Sequence, residues 1–202
     1  MPSSLAWATL GVLLLYLVAF AALGRLASRA AGRPVWLFGT AQGPDLLAAL
    51  AFRAAFVLAV LGPLAAAAWP GLWLWEVSTP LAVAGHLVAI AGALLAVAAQ
   101  AAMGASWRVG VQEGATGALV TGGLFDLSRN PTFVGQGGLL SGVALALPSG
   151  PTILALFLFV LAAHLQVRSE ERTLAAALGE PYRAYQARVP RWLGRPTAGG
   201  VP

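Results

Sequence analysis

The sequence has no cysteine, no lysine and little charge of either sign. Charged residues make up 9% of its 202 positions and apolar residues 59%, and the mean hydropathy is +0.80. Without cysteine the chain cannot form a disulfide, a thiolate metal site or a thiol nucleophile. Because an ordinary soluble domain carries about 25% charged residues, this composition is typical of an integral membrane protein.

The basic residues are few, and all twelve are arginine. The net charge of +5 could suggest nucleic acid, but no nucleic-acid-binding motif is present. Arginine without lysine, together with abundant Ala, Gly and Pro, is typical of a GC-rich genome. We therefore expect membrane lipids, and no nucleic acid, as partners. The two histidines, His86 and His164, make a poor metal site without thiols, so no metal is expected.

Five apolar stretches predict an all-α, polytopic membrane protein. They are residues 5–23, 46–68, 81–103, 133–147 and 153–167. The first three are about 20 residues long, enough to cross a bilayer. The last two are about 15 residues, roughly 22 Å as helix, and Pro and Gly between them mark a tight reversal. We therefore expect about five transmembrane helices, of which the last two form a short hairpin.

The arginines predict the orientation of these spans. Arg25, Arg29 and Arg33 follow the first span, the connection 69–80 has none, and six lie in the tail 168–202. Because cytoplasmic segments are enriched in arginine, the N-terminus is expected outside and the C-terminal tail in the cytoplasm. The connection 69–80 also carries three tryptophans, which are typical of a membrane interface.

The chain divides into three parts by these criteria. Residues 1–103 hold three spans without a recognised motif, 104–193 hold two polar clusters and the hairpin, and 194–202 form a loose tail. A continuous helix over 153–178, ended by Gly179, would place His164, Arg168 and Glu171 on one face, with Glu170 beside them. These residues could serve a site or simply form ion pairs at a solvated helix end.

The first polar cluster precedes the hairpin. Pro131 fits the first turn of a helix with Asn130 as its N-cap, and Arg129 could hold a carboxylate with two hydrogen bonds. Trp107 and Arg108, after the third span, could anchor the interface or line the entrance for a substrate. Arg108, His164 and Arg168 are therefore candidate substrate-binding residues together with Trp107.

In order and spacing, these clusters resemble a family of integral-membrane methyltransferases that includes isoprenylcysteine carboxyl methyltransferase and phospholipid methyltransferase. The matching segments are Leu119-Val120-Thr121-Gly122-Gly123-Leu124-Phe125, Arg129-Asn130-Pro131-Thr132-Phe133, Glu170-Glu171-Arg172-Thr173-Leu174, Gly179-Glu180-Pro181-Tyr182-Arg183-Ala184-Tyr185 and Val189-Pro190. The resemblance implies a membrane enzyme that transfers a methyl group from S-adenosylmethionine to a lipid-soluble acceptor, isoprenylcysteine-carboxylate-like or another small amphiphile. From the spans and the arginines, we expect a location in the bacterial inner (cytoplasmic) membrane.

The resemblance assigns roles to particular residues. Arg129 and Glu171 would be catalytic, and Tyr182 and Tyr185 would close the pocket from the cytoplasm. The cofactor-binding set would be Leu119, Val120, Gly122, Arg129, Asn130, Pro131, Glu170, Glu171, Tyr182 and Tyr185. Sequence alone does not say which of the two glutamates faces the cofactor, since adjacent helical positions lie about 100° apart.

The chain also departs from the family pattern. Asn130 stands where the family has His, and Phe133 where it has Tyr. Asn cannot shuttle a proton near neutral pH, so a base, where the acceptor needs one, would have to be Glu113, Asp126 or His164. A noncatalytic accessory or lipid-binding relative that keeps the fold is the alternative. A transporter and a nicotinamide-dependent reductase are further alternatives, and cofactor binding would distinguish them.

Overall fold

The computed structural model of the chain describes residues 2–32, 42–107 and 119–194. Within these ranges the chain is helical, with two short 3-10 turns and one isolated β-bridge but no strand. The helices are α1 (Pro2–Ala31), α2 (Gly43–Ala68), α3 (Thr79–Met103), α4 (Leu124–Leu127), α5 (Pro131–Ala146), α6 (Gly150–Leu178) and α7 (Glu180–Arg188). The prediction of an all-α fold is confirmed.

Four of these helices, α1, α2, α3 and α6, are long and apolar enough to cross a membrane. Helix α5 has only 16 residues, about 24 Å, which is shorter than the about 20 residues of a full crossing. Its end still reaches the connection between α2 and α3, because the Leu74 backbone N–H donates to Pro148 O at 2.9 Å. The polytopic architecture with a short final hairpin is therefore confirmed, and the hairpin tip lies level with that connection.

Helix α6 is continuous from the hairpin into the tail, as predicted. Its apolar run ends at Val167, and about three further turns follow from Arg168. The helix stops at Gly179, whose φ of 62° lies in the left-handed region that glycine adopts without strain. The polar residues of the tail are thus carried rigidly past the apolar part of the bundle.

Helices α3 and α5 pack with their backbones in contact. A Cβ built on Gly85 would lie 2.6 Å from the backbone nitrogen of Ala146, and one built on Gly92 would meet that of Leu139. Membrane helices approach so closely only where small residues line both surfaces. Gly85, Gly92 and Gly142 therefore pack this interface, and α5 is fixed to α3 despite its short length.

Aromatic rings from α1, α2 and α6 fill the centre of the bundle. Phe56 stacks on Tyr16 with ring centroids 6.0 Å apart and meets Phe159 edge-on at 6.2 Å. Polar bonds also join helices: His86 Nε2 lies 3.0 Å from Thr9 Oγ1. His86 is therefore a structural link between α3 and α1.

The glycine contact between α3 and α5 yields a stability prediction. Gly92→Ala should destabilise the protein by about 1–3 kcal/mol, because the new methyl group meets backbone that cannot move aside. Gly137→Ala is the control, since a Cβ there lies at an ordinary 3.6 Å from Phe159 Cε1. Both changes gain the same helix propensity. Equal melting temperatures of the Gly92→Ala and Gly137→Ala variants in detergent would contradict the close backbone contact at Gly92.

Candidate functional site

A cavity lies where the tail packs beside the helix bundle, and its lining comes from two parts of the chain. We name these parts the tail wall and the bundle wall. The tail wall includes Leu119, Val120, Phe125, Arg129, Asn130, Glu170, Glu171, Leu174, Tyr182 and Tyr185. The bundle wall includes Phe20, Phe52, Met103, Trp107, Phe133, Gln136 and Gln166. One wall is polar and aromatic and the other is mostly apolar, so the cavity suits an amphiphilic ligand or a pair of ligands.

Two tyrosines of α7 form the buried part of the tail wall. The Tyr185 hydroxyl donates to Phe125 O at 2.7 Å, and the Tyr182 ring lies 6.1 Å from that of Tyr185. Burial raises the pKa of Tyr182 and raises that of Tyr185 to about 12. Both phenols are therefore protonated near neutral pH, and neither can act there as a general base.

The segment 128–130 is bonded to the chain that follows α7. The Arg129 backbone N–H donates to Pro190 O at 2.9 Å, and Asn130 Nδ2 donates to Arg191 O at 3.0 Å. Asn130 does occupy the N-cap position of α5 with Pro131 next, as predicted, but its side chain makes no capping bond. The amide is used instead to hold the tail against the bundle.

The carboxylate of Glu171 joins two arginines. Oε1 accepts from Arg129 Nε and Nη2 at 3.0 and 2.7 Å, and Oε2 accepts from Arg191 Nε and Nη2 at 3.0 and 2.6 Å. Arg129 Nη1 also donates to the backbone oxygens of Gln186 and Val189. Arg129 thus uses four of the five N–H groups of its guanidinium within the protein. The carboxylate that it binds is that of Glu171.

The surroundings of Glu171, which lies beyond the apolar run of α6, keep it ionised. Burial alone would favour the protonated form, but the hydrogen bonds from Arg191 and Arg129 lower the pKa of the carboxyl group. The hydrogen bond with Glu171 likewise raises the pKa of Arg191. Glu170 also lines the cavity, but it is half-buried whereas Glu171 is buried. The two adjacent carboxylates therefore have different surroundings.

The bundle wall contains two buried polar atoms that lack a partner among the described residues. These are Gln166 Oε1, an acceptor, and Trp107 Nε1, a donor, on side chains that are 5% and 7% exposed. The third polar side chain is satisfied, because Gln136 Nε2 donates to Tyr16 OH at 2.7 Å. Buried polar groups are nearly always hydrogen-bonded, so an unmatched donor and acceptor on one cavity point to a ligand.

The cavity brings together most of the residues predicted for the site. Leu119, Val120, Arg129, Asn130, Pro131, Glu170, Glu171, Tyr182, Tyr185 and Trp107 all line it. Gly122 is exposed outside the lining, and so are His164 and Arg168 on α6 and Asp126 on α4. Arg108 and Glu113 lie outside the described residues. The candidate bases Asp126 and His164 thus do not face this space.

Several residues of the site were not predicted from the sequence. Gln136 and Gln166 stand alone in apolar runs, a pattern that marks functional positions in membrane helices and could have identified them. Arg191 directly follows the Val189-Pro190 pair, but only the folded chain shows that it meets Glu171. Phe20 and Phe52 carry no such signal, since aromatic residues are common in any apolar helix.

The ion pairs of Glu171 yield a prediction for stability and its pH dependence. Glu171→Gln should cost on the order of 3 kcal/mol at pH 7, because two arginines lose their shared carboxylate. Since the folded-state pKa is depressed, the stabilisation is present above the unfolded value of about 4.3 and is lost as pH falls through the folded pKa. Melting curves of wild type and variant in detergent should therefore converge below about pH 4. A gap that stays constant to pH 3 would contradict the ion pair.

Comparison with known proteins agrees with the resemblance drawn from the motifs. No curated protein and no solved structure matches the chain significantly. The family model described as phospholipid methyltransferase matches residues 81–180. That region begins in α3 and runs through the hairpin to the first residue of α7, so it contains most of the cavity lining. Through residues 81–180 the chain belongs to the phospholipid methyltransferase family.

Proposed function

We propose that this protein transfers a methyl group from S-adenosylmethionine to a lipid-soluble acceptor at the cytoplasmic face of the inner membrane. The observation that carries the proposal is the cavity that joins a polar, aromatic tail wall to an apolar bundle wall and that has most of its lining in the family-matched region. A charged cofactor and a hydrophobic acceptor need such contrasting surroundings side by side. The cytoplasmic location of the site is supported by Arg25, Arg29 and Arg168, which are exposed, because cytoplasmic segments are enriched in arginine.

The tail wall has groups that suit the cofactor. When bound, S-adenosylmethionine supplies a methyl group on a sulfonium, already a strong electrophile. Glu170 can accept hydrogen bonds from ribose hydroxyls or an amino group, and the rings of Phe125 and Tyr182 offer faces for an aromatic base. Arg129 and Glu171 keep the wall in place through their ion pair. Little acid–base chemistry is demanded of these residues, because catalysis can rest on positioning and on exclusion of water.

The bundle wall suits the methyl acceptor. Gln166 Oε1 can accept from its polar group and Trp107 Nε1 can donate to it, which would orient the reacting atom toward the tail wall. The remaining lining of Phe20, Phe52 and Phe133 excludes water. No described residue of the bundle wall is ionisable. This favours an acceptor that reacts without a base on that wall, such as a carboxylate or an amine that enters neutral.

Cofactor binding tests the first half of the proposal. S-adenosylhomocysteine at about 100 times its dissociation constant should stabilise the wild type by roughly 2.7 kcal/mol. Glu170→Gln should weaken binding about tenfold or more, because a charge-assisted hydrogen bond is lost. Glu180→Gln is the control, since Glu180 lies on the surface at 3.9 Å from Arg183. Folded protein that shows no shift with the ligand would favour the noncatalytic alternative, and a shift with reduced nicotinamide instead would favour reduction.

Acceptor positioning tests the second half. Gln166→Met and Trp107→Phe should lower transfer of labelled methyl groups into a lipid extract by about 10- to 100-fold, because a misplaced acceptor reacts slowly. The thermal shift with S-adenosylhomocysteine should remain. Gln100→Met is the matched control, because Gln100 is also buried with an unpartnered Oε1 among the described residues but does not line the cavity. If Gln100→Met lowered transfer equally, the bundle wall would not be the acceptor site.

A further inference from the structure

A second space, separate from the bundle wall, is an open groove on the polar end of α6. It is lined by Arg168, Glu171, Arg172, Ala175, Gln186 and Arg191. Three guanidinium groups and one carboxylate give it a net charge of +2. That carboxylate already accepts from Arg129 and Arg191, so it does not neutralise Arg168 or Arg172. The groove is therefore a concentrated positive site on a chain with few charges.

Arg168 and Arg172 are exposed, and neither has a hydrogen-bond or ion-pair partner within the described parts of the chain. They are one turn apart on α6, where like charges repel. An anion between them would remove this repulsion. Arg191 supplies a third cation from a different segment, with 37% of its side chain exposed. The groove therefore receives cations from two segments of the chain, α6 and the segment after α7, whereas a row of basic residues on one helix would involve only one.

The position of the groove indicates the anion. Arg168 is the first residue after the apolar run of α6, which ends at Val167, so the groove lies where lipid headgroups begin. Guanidinium groups bind phosphate through paired hydrogen bonds. We propose that this groove binds the phosphate of an anionic lipid headgroup, at a site that adjoins the cavity described above and shares Glu171 with it. The proposal does not depend on the proposed enzymatic function.

Native mass spectrometry of the full-length protein in detergent tests this site. The probes are dioleoylphosphatidylglycerol, which is anionic, and dioleoylphosphatidylcholine, which is zwitterionic. The wild type should retain phosphatidylglycerol preferentially. Arg168→Gln combined with Arg172→Gln should weaken its retention about 25-fold, since each arginine near a lipid surface contributes on the order of fivefold. Retention by the double variant Arg168→Lys and Arg172→Lys should lie between those of the wild type and the glutamine variant. The positive charge remains in this variant, but the paired hydrogen bonds are lost.

The matched control is Arg25→Gln combined with Arg29→Gln. These arginines are also exposed and one turn apart, on the last turns of α1, but do not line the groove. An equal loss in this control would mean that only general charge attraction acts, and would overturn the proposal. Unchanged retention in the groove variant, at an unchanged melting temperature, would also overturn it.

Inorganic phosphate distinguishes the two sources of the anion. One outcome is that millimolar phosphate displaces the lipid from the wild type but leaves the lipid that remains on the groove variant in place. In that case the groove also binds free phosphate from solution. If phosphate displaces nothing, the headgroup is bound together with its acyl chains. Both results support a phosphate site, and the second assigns it to lipid alone.

Discussion

The carboxylate shared by Arg129 and Arg191 holds the tail of this protein on its membrane bundle. Glu171 is carried on α6, Arg129 lies in the connection just before α5, and Arg191 follows α7. One side chain thus fixes three segments that are distant in sequence. The backbone bonds of Arg129 and the amide of Asn130 strengthen the same junction. The junction adds to the apolar packing of Tyr182 and Tyr185 against Phe125 and to the bond from Tyr185 to Phe125 O, and together these contacts hold one wall of the cavity.

This arrangement gives different surroundings to residues that are adjacent in sequence. Glu171 is buried and joins Arg129 and Arg191, whereas Glu170 beside it is half-buried, and both residues border the cavity. Arg129 likewise uses most of its donors on Glu171 and on two backbone oxygens. Residues that a family motif groups together therefore have different partners in the structure. Loss of function on changing a support residue would not by itself show contact with a ligand.

The sequence predicted the parts of this structure that depend on local physics. Apolar length defined the spans, and Gly179 correctly marked the end of α6. Tertiary partners were harder to predict: the pattern placed Asn130 at a helix N-cap, but the amide bonds to Arg191 O, 61 residues further along the chain. Periodicity also placed His164 and Arg168 near Glu171, although both lie outside the cavity because the face of α6 toward it carries Gln166 and Glu170.

The backbone contact between α3 and α5 limits how a lipid can travel. At Gly85 and Gly92 there is no room even for one methyl group, so nothing the width of an acyl chain can pass along that seam. The seam between α2 and α6 is similarly narrow at Gly62, where a Cβ would lie 2.9 Å from the side chain of Thr152. These contacts close the α3–α5 and α2–α6 interfaces at those glycines. A hydrophobic molecule that entered the cavity laterally from the bilayer would therefore pass between the two helix pairs, and the glycines that stabilise the fold would also restrict its route.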